Sequence, residues 1–400
     1  MDSQQEGAVS FQVGGAFFRP QGRLVRDLGV LAAALHRQQC GRLRVLEGMA
    51  GCGVRSLRYA VESGADFVWC NEGNPDLASV IAANLRPVQQ CRISHEPARR
   101  LLARCMAAQD DYDFIDLDGF GDPLGELPYA LGAMPLGGWL YLTSTDGRSL
   151  TGHLPPEQLP AFGGIARVHP AGHEQGLRIL LGILQRQAAT MGYGIRPGFA
   201  YFTGETYRLL VQLTPRRQFN PKTYGWLGYC HHCGDYQVIP WRRLGRCSCL
   251  QDQQPLTLTG PMWLGPLHDP LWVKQMGELA AAWQWRDVVQ LLACFAAEAM
   301  LPPYFYPLRA IAQGIKGDLP KRSHLIAQLQ AQGYAATATH INPEAIKTTA
   351  SLRVCRALLT QYPKPPFLRG AGGIPLHDEA HDPPGYADPL DKGVNPNPPC

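Results

Sequence analysis

The chain has 400 residues, 45% of them hydrophobic and 18% charged, enough for about two or three domains with cores of their own. Thirty-seven Lys and Arg against 33 Asp and Glu leave a formal charge of +4, too little to identify a nucleic-acid partner from totals alone. No apolar run reaches the roughly 20 residues of a spanning helix, the first residues have neither region of a secretory leader, and the twelve cysteines are therefore expected as thiols rather than disulfides. The expectation is a cytoplasmic globular protein that requires neither a membrane nor a protein partner.

In chain order, Phe17-Phe18-Arg19-Pro20 reads as extended chain ahead of a helix over about 22–37. Leu43 to Gly53 reads as a strand, an acid (Glu47) and a glycine turn (Gly48, Gly51, Gly53), followed by a helix from Val54. This is a nucleotide-binding opening in which glycines admit a ligand to the backbone. Met49 stands where such turns often have another glycine. A second strand, 66–72, ends in Glu72, 25 residues after Glu47, where a carboxylate can accept from both ribose hydroxyls. A third, 93–96, ends in Glu96, placed to face an adenine amino group.

The fourth strand leads into Asp113-Phe114-Ile115-Asp116-Leu117-Asp118-Gly119-Phe120-Gly121. Asp118 falls where strand gives way to loop, and ligands of open α/β sheets bind at such carboxyl ends. An acceptor, a flat apolar face and flanking glycines are the parts needed to hold a planar base and its amino group. A fifth strand over 138–146, a helix over 174–191 and a hairpin over 198–203 and 206–213 complete a class I methyltransferase pattern, which uses S-adenosylmethionine. A hydride-transfer dinucleotide enzyme stays open from pattern alone, although such enzymes usually show a full Gly-x-Gly-x-x-Gly, which the chain lacks.

Composition shifts near Thr214-Pro215, so the catalytic domain is assigned to 1–215. Beyond it, Cys230 with Cys233 and Cys247 with Cys249, separated by 13 residues, have zinc-ribbon character, with His231 or His232 as a substitute ligand. Arg242, Arg243 and Arg246 form one of several basic clusters suited to phosphates. The region 261–362 reads as mostly helical, with a loop over 260–269, a long helix over 279–300, one over 323–332 capped by Ser323, and one over 351–359. Residues 216–365 form the second, α+β domain, and 366–400, rich in Pro and Gly, a disordered tail.

Five separated motifs bear a resemblance to one family, the tRNA (guanine-26, N2) dimethyltransferases. Phe17-Phe18-Arg19-Pro20 with Arg26-Asp27 resembles its Phe-Tyr-Asn-Pro…Arg-Asp opening. Leu46-Glu47 with Gly53-Val54-Arg55-Ser56-Leu57-Arg58-Tyr59 resembles its cofactor motif. Ile115 to Gly121 is similar to its Ile-Asp-Leu-Asp-Pro-Phe-Gly, Gly260 to Asp269 to its Gly-Pro-Leu-Trp-x-Gly-Pro-Leu-His-Asp, and Tyr334 with Thr339 to Pro343 and Ile346 to Thr348 to its C-terminal signature. The resemblance implies that Arg26, Arg55, Glu72, Glu96 and Pro97 line an S-adenosylmethionine pocket. It implies that Asp118 meets the guanine N2 amine, that Phe17 and Phe120 sandwich the base, and that the four cysteines hold a structural Zn2+. Glu47, Gly51 and Gly53 complete the expected cofactor site, and tRNA is the expected partner. Gly119 departs from the family's proline and Arg19 from its asparagine. The readings set against this one are a methyltransferase for another RNA base or a small amine, and a non-catalytic RNA-binding protein on the same fold.

Overall fold

In a computed structural model, the described residues are 3–154, 163–215, 220, 222–314 and 321–360. The tail assigned to 366–400 lies outside them.

A hairpin of β1 (Ser3–Glu6) and β2 (Val9–Gln12) precedes α1 (Arg23–Cys40). Val25 to His36 of that helix are all buried, and it stops at Gly41, whose φ of 73° is open to glycine. Then follow β3 (Arg44–Glu47), α2 (Val54–Val61), β4 (Phe67–Asn71), α3 (Ala78–Leu85), β5 (Cys91–Ser94), α4 (Ala98–Ala108), β6 (Phe114–Leu117), α5 (Leu127–Gly132), β7 (Trp139–Ser144), α6 (Gly147–Leu150), α7 (Gly172–Thr190), β8 (Gly194–Phe202) and β9 (Tyr207–Thr214). The strands form one seven-stranded sheet in the order β5-β4-β3-β6-β7-β9-β8. The first five are mutually parallel, and β9 runs against its neighbours on both sides. Consequently the loops after β3, β4, β5 and β6 all open at one edge, and that edge carries the site.

Val45, Phe114, Tyr141 and Phe199 pack against α1 on one side of the sheet, together with α8 (Pro270–Ala282) and α9 (Arg286–Glu298). Leu46, Ile115, Leu140 and Leu142 pack with α4 and α7 on the other. Alternate residues of one strand thus serve both cores, as burial on two faces requires.

The second lobe begins with β10 (Tyr224–Tyr229), β11 (Tyr236–Ile239) and β12 (Thr257–Trp263), in the order β11-β10-β12. β12 lies on α7 so closely that a Cβ at Gly182 would meet Met262 Cα at 3.0 Å. Four expectations are corrected here. The helix expected over 279–300 is the end of α8 plus α9, because Gln284 at φ 61° turns the chain between Trp283 and Trp285. The 260–269 loop begins inside β12. The region after 261 holds a small sheet, β13 (Tyr306–Pro307), β15 (Ala345–Thr348) and β14 (Ala336–Ala338), besides α10 (Leu308–Ile311), α11 (Arg322–Ala331) and α12 (Leu352–Thr360). Lys321 rather than Ser323 stands at the N-cap of α11.

The motifs at 260–269 and 339–348 meet each other. His268 and His340 both face the buried Glu298 of α9, Lys347 Nζ lies 3.9 Å from its second oxygen, and the same ammonium donates to Glu174 Oε1 at 2.7 Å. Arg178 binds Glu174 at 2.7 Å and donates to the carbonyls of Trp263 and Gly265. Two carboxylates against one ammonium and one guanidinium balance in charge. Burial pushes the His268 imidazole down to about 4, so it is neutral in this node.

Candidate active site

The glycine turn after β3 is held open by its neighbours. Gly51 and Gly53 have φ of 56° and 79°, and a Cβ at Gly51 would meet only Phe17 O, at 3.8 Å. The Gly51 N–H donates to Glu72 Oε2 at 2.7 Å, and the Asn74 N–H to Glu72 Oε1 at 2.9 Å. Asn71, wholly buried, donates to the carbonyls of Gly48 and Glu96, both at 2.9 Å, and so ties the loops after β3 and β5 together. Sequence reading passed over this asparagine, although an amide ending an apolar strand is a visible signal.

The other residues of the expected cofactor site also hold partners within the protein. Glu47 is 1% exposed and accepts from the Ser56 N–H at 2.8 Å and from the Ser56 hydroxyl, securing the start of α2. Burial, and then the charge of Asp116, push its carboxyl up to about 8. It therefore holds a proton when folded at neutral pH and loses it when unfolded. Stability attributable to it falls as pH rises from the ordinary glutamate range toward the raised value. Glu47→Gln is expected to flatten the pH dependence of the urea midpoint between about pH 5 and 8; an unchanged slope would deny the raised value.

Arg26 is buried, binds Glu6 through two nitrogens and lies over the Phe18 ring at 4.7 Å, so its guanidinium secures the N-terminal hairpin. Glu96 Oε1 receives Arg104 at 2.7 Å. Pro97 directly precedes α4 as its N-cap.

Arg55 reaches the acids at the end of β6. Its guanidinium, 5% exposed, reaches Asp116 at 3.2 Å and binds Asp118 directly. Arg208 of β9 holds the other Asp118 oxygen at 2.6 Å. Tyr59 donates to Asp116 Oδ2 at 2.6 Å. Burial disfavours the Asp118 charge, but the Arg208 and Arg55 guanidiniums outweigh it and hold the carboxyl well below the usual carboxylate range. Arg208 was missed in the sequence. Its signal was a single cation inside the buried run Tyr207 to Leu213.

Phe17 and Phe120 stand at the mouth, 61% and 75% exposed, their ring centroids 5.1 Å apart at 70°. They meet edge to face. A base between them needs two contacts of about 3.5 Å each, so the rings must separate to form the expected sandwich. Behind Phe120 lies a pocket of about 120 Å³ lined by Met49, Leu117, Gly119, Asp122, Glu126 and Thr143. Here the two unusual residues touch: a Cβ at Gly119 would stand 2.6 Å from Met49 Sδ. The methionine fills the space a larger residue at 119 would take. Gly119→Ala is accordingly expected to lower kcat/KM severalfold, about 1 kcal/mol of overpacking, and Met49→Ala in the same chain to restore it. Additive losses in the double variant would deny the contact.

The cysteine cluster differs from expectation by one ligand. Cys230, Cys233, Cys249 and Asp252 bring one donor atom each within 4.8 Å of all the others, an arrangement that could chelate a metal ion. Cys233 and Cys249 are 3.5 Å apart through their sulfurs. Cys247 instead directs its thiol to the Leu244 carbonyl at 3.3 Å, because the residues before it wind into a short helical turn. Neither histidine joins the cluster: His231 packs on Tyr229, and His232 bonds Asp252 at 2.7 Å.

The strand order, with its single reversed strand, and the acids and glycine turn at the parallel strands' carboxyl edge define a Rossmann-like methyltransferase of class I. A model of the N2,N2-dimethylguanosine tRNA methyltransferase family matches residues 3–360. The tRNA (guanine(26)-N(2))-dimethyltransferase of Pyrobaculum neutrophilum is 31% identical over 369 residues, covering 89% of this chain and 98% of that one. That of Pyrococcus horikoshii is 30% identical over 360 residues, covering 84% and 90%. The solved complex of Trm1 from Pyrococcus horikoshii with S-adenosyl-L-methionine superposes with a TM-score of 0.76 at 27% identity, covering 89% of this chain and 98% of that one. The chain belongs to the N2,N2-dimethylguanosine tRNA methyltransferase family, whose members are S-adenosylmethionine-dependent enzymes acting on the guanine N2 amine of tRNA.

Proposed function

We propose that this chain methylates N2 of guanine 26 in tRNA, first to the monomethyl and then to the dimethyl product, with Asp118 as the residue that receives the amine. The observation that carries this reading is a carboxylate at the end of β6, kept ionised by two arginines, beside two exposed phenylalanines. S-adenosylmethionine supplies an electrophilic methyl group when bound. The open glycine turn and the Glu72 carboxylate are suited to its nucleoside, the carboxylate accepting from ribose hydroxyls.

Guanine N2 is a poor nucleophile, since its lone pair is shared with the ring. Asp118 accepts one N2–H, fixes the direction of the lone pair and stabilises the positive charge that grows on nitrogen. Once that nitrogen has four bonds its proton is strongly acidic, so even a weakly basic carboxylate takes it. Arg55 and Arg208 keep the acceptor oxygens aimed and charged. Phe17 and Phe120, once parted, cover the two faces of an extracted base.

Residues 1–215 serve as the catalytic domain in this reading, and 216–365 as the part that grips tRNA by shape and phosphates. The eleven described cysteines, all free thiols, suit the reducing cytoplasm, and no helix among the described residues is long and apolar enough to cross a membrane. Cys230, Cys233, Cys249 and Asp252 are the proposed ligands of a structural Zn2+. Metal analysis is expected to find stoichiometric zinc, lost in Cys230→Ser and Asp252→Ala with a lower melting temperature, and retained in Cys247→Ser. Zinc loss in Cys247→Ser with retention in Asp252→Ala would restore the four-cysteine site.

The function is tested with labelled S-adenosylmethionine, unmodified tRNA transcripts and mass spectrometry of the nucleosides. N2,N2-dimethylguanosine that vanishes when guanine 26 is replaced supports the reading. Methylation of another base, or of an amine without RNA, would move the substrate. No transfer by a protein that still binds the cofactor would favour the non-catalytic RNA-binding protein.

A further inference from the structure

The cysteine-bearing lobe displays an aromatic side chain that the catalytic site does not use. Trp241 is 63% exposed, at the start of the short helical turn Trp241–Arg246. The Arg242 guanidinium lies over its ring at 5.2 Å from the centroid. Arg243 is also exposed, and neither guanidinium makes an ion pair among the described residues. Val238 and Leu250, 46% and 74% exposed, belong to the same lobe. From Tyr236 to Leu250 the chain has three arginines and no acidic residue.

The turn is tied down at both ends. The Arg243 N–H donates to Pro240 O at 2.8 Å. The Gln237 side chain donates to Ser248 O at 2.9 Å and accepts from the Leu250 N–H at 3.1 Å. An exposed tryptophan covers no core, so burial cannot account for it. A flat ring already paired with a guanidinium, flanked by a second cation and free of acids, is complementary to a base plane and its phosphates. Three arginines without an acidic residue from Tyr236 to Leu250 favour that polyanionic partner over an apolar protein surface.

We propose that the turn Trp241–Arg243 is a tRNA contact remote in sequence from the catalytic residues, with Trp241 stacking on an unpaired base and Arg242 and Arg243 holding the adjoining phosphates. This rests on tRNA being the substrate. Its role is docking, and the methyl transfer step does not depend on it.

The test measures binding of unmodified tRNA transcript by the full-length protein at several salt concentrations, together with methylation kinetics. Trp241→Ala is expected to weaken tRNA binding about tenfold, as loss of one base stack does, and Trp241→Phe to recover most of it. Arg242→Gln with Arg243→Gln should weaken binding and flatten the slope of log K against log salt by about 0.7–0.9 per lost phosphate contact. KM for tRNA should rise while kcat and S-adenosylmethionine affinity stay within about twofold, with unchanged melting temperatures certifying the fold. Unaltered tRNA affinity and salt slope in folded variants would overturn the proposal, as would a change confined to self-association in sedimentation. Failure of the wild-type protein itself to bind tRNA would instead refute the assignment of substrate.

Discussion

Asp118→Ala is expected to lower kcat for guanine N2 methylation by about a thousandfold, in the middle of the range for loss of a positioned proton acceptor. S-adenosylmethionine affinity should change by less than about twofold, because the carboxylate is held by Arg208 and Arg55 rather than by the glycine turn. Alanine also leaves Arg55 and Arg208 facing each other without the anion between them, so Asp118→Asn is the cleaner probe. The amide keeps the shape and an accepting oxygen but neither the charge nor the basicity. Both variants should fail in turnover. The charge on Asp118 survives well below the ordinary carboxylate range, so its contribution to stability is fully present above that range and fades only as pH falls through the lowered value. The rate should accordingly show no acidic limb from this residue near neutral pH. An equal loss of cofactor binding and turnover would assign Asp118 to the cofactor instead.

Arg58→Ala should be the most destabilising single change, about 3–5 kcal/mol by urea denaturation. The guanidinium is fully buried and meets Asp27 at 2.6 Å, Glu62 at 2.9 Å and Glu6 at 3.3 Å. Removing it leaves three carboxylates with Arg26 as the remaining buried cation beside Glu6. The consequence reaches the site, since Glu6 fastens the β1–β2 hairpin to Arg26 and Arg26 to the Phe18 ring. The segment carrying Phe17 is thus anchored through Arg58. Activity should therefore fall before global unfolding, with KM for tRNA rising first. A loss below about 1 kcal/mol would mean that water reaches the pocket and that the network is worth no more than surface pairs.

Much of the architecture was already legible in the chain. Buried parallel strands are continuous apolar runs, and the run from Phe114 to Leu117 ends in an acid and glycines as a strand at a ligand crevice must. The helix from Val54 and the hairpin of β8 and β9 fell where period and turn residues placed them. Hairpin β1–β2 went unread because two four-residue strands carry too little periodicity. The α8–α9 break was hidden because the apolar period continues through Trp283 and Trp285, and only the backbone at Gln284 reverses it.

By itself, then, the sequence determined the succession of strands and helices, the acid and glycines that follow the fourth strand, and the presence of close cysteine pairs. Each is a property of neighbours along the chain. Only the tertiary structure decided that Arg55 and Arg208 converge on Asp118, that Glu47 is spent on Ser56, that Met49 fills the space beside Gly119, and that Asp252 rather than Cys247 stands grouped with Cys230, Cys233 and Cys249. Those pairings join residues far apart in sequence, and their charges and volumes balance only where the folded chain brings them together.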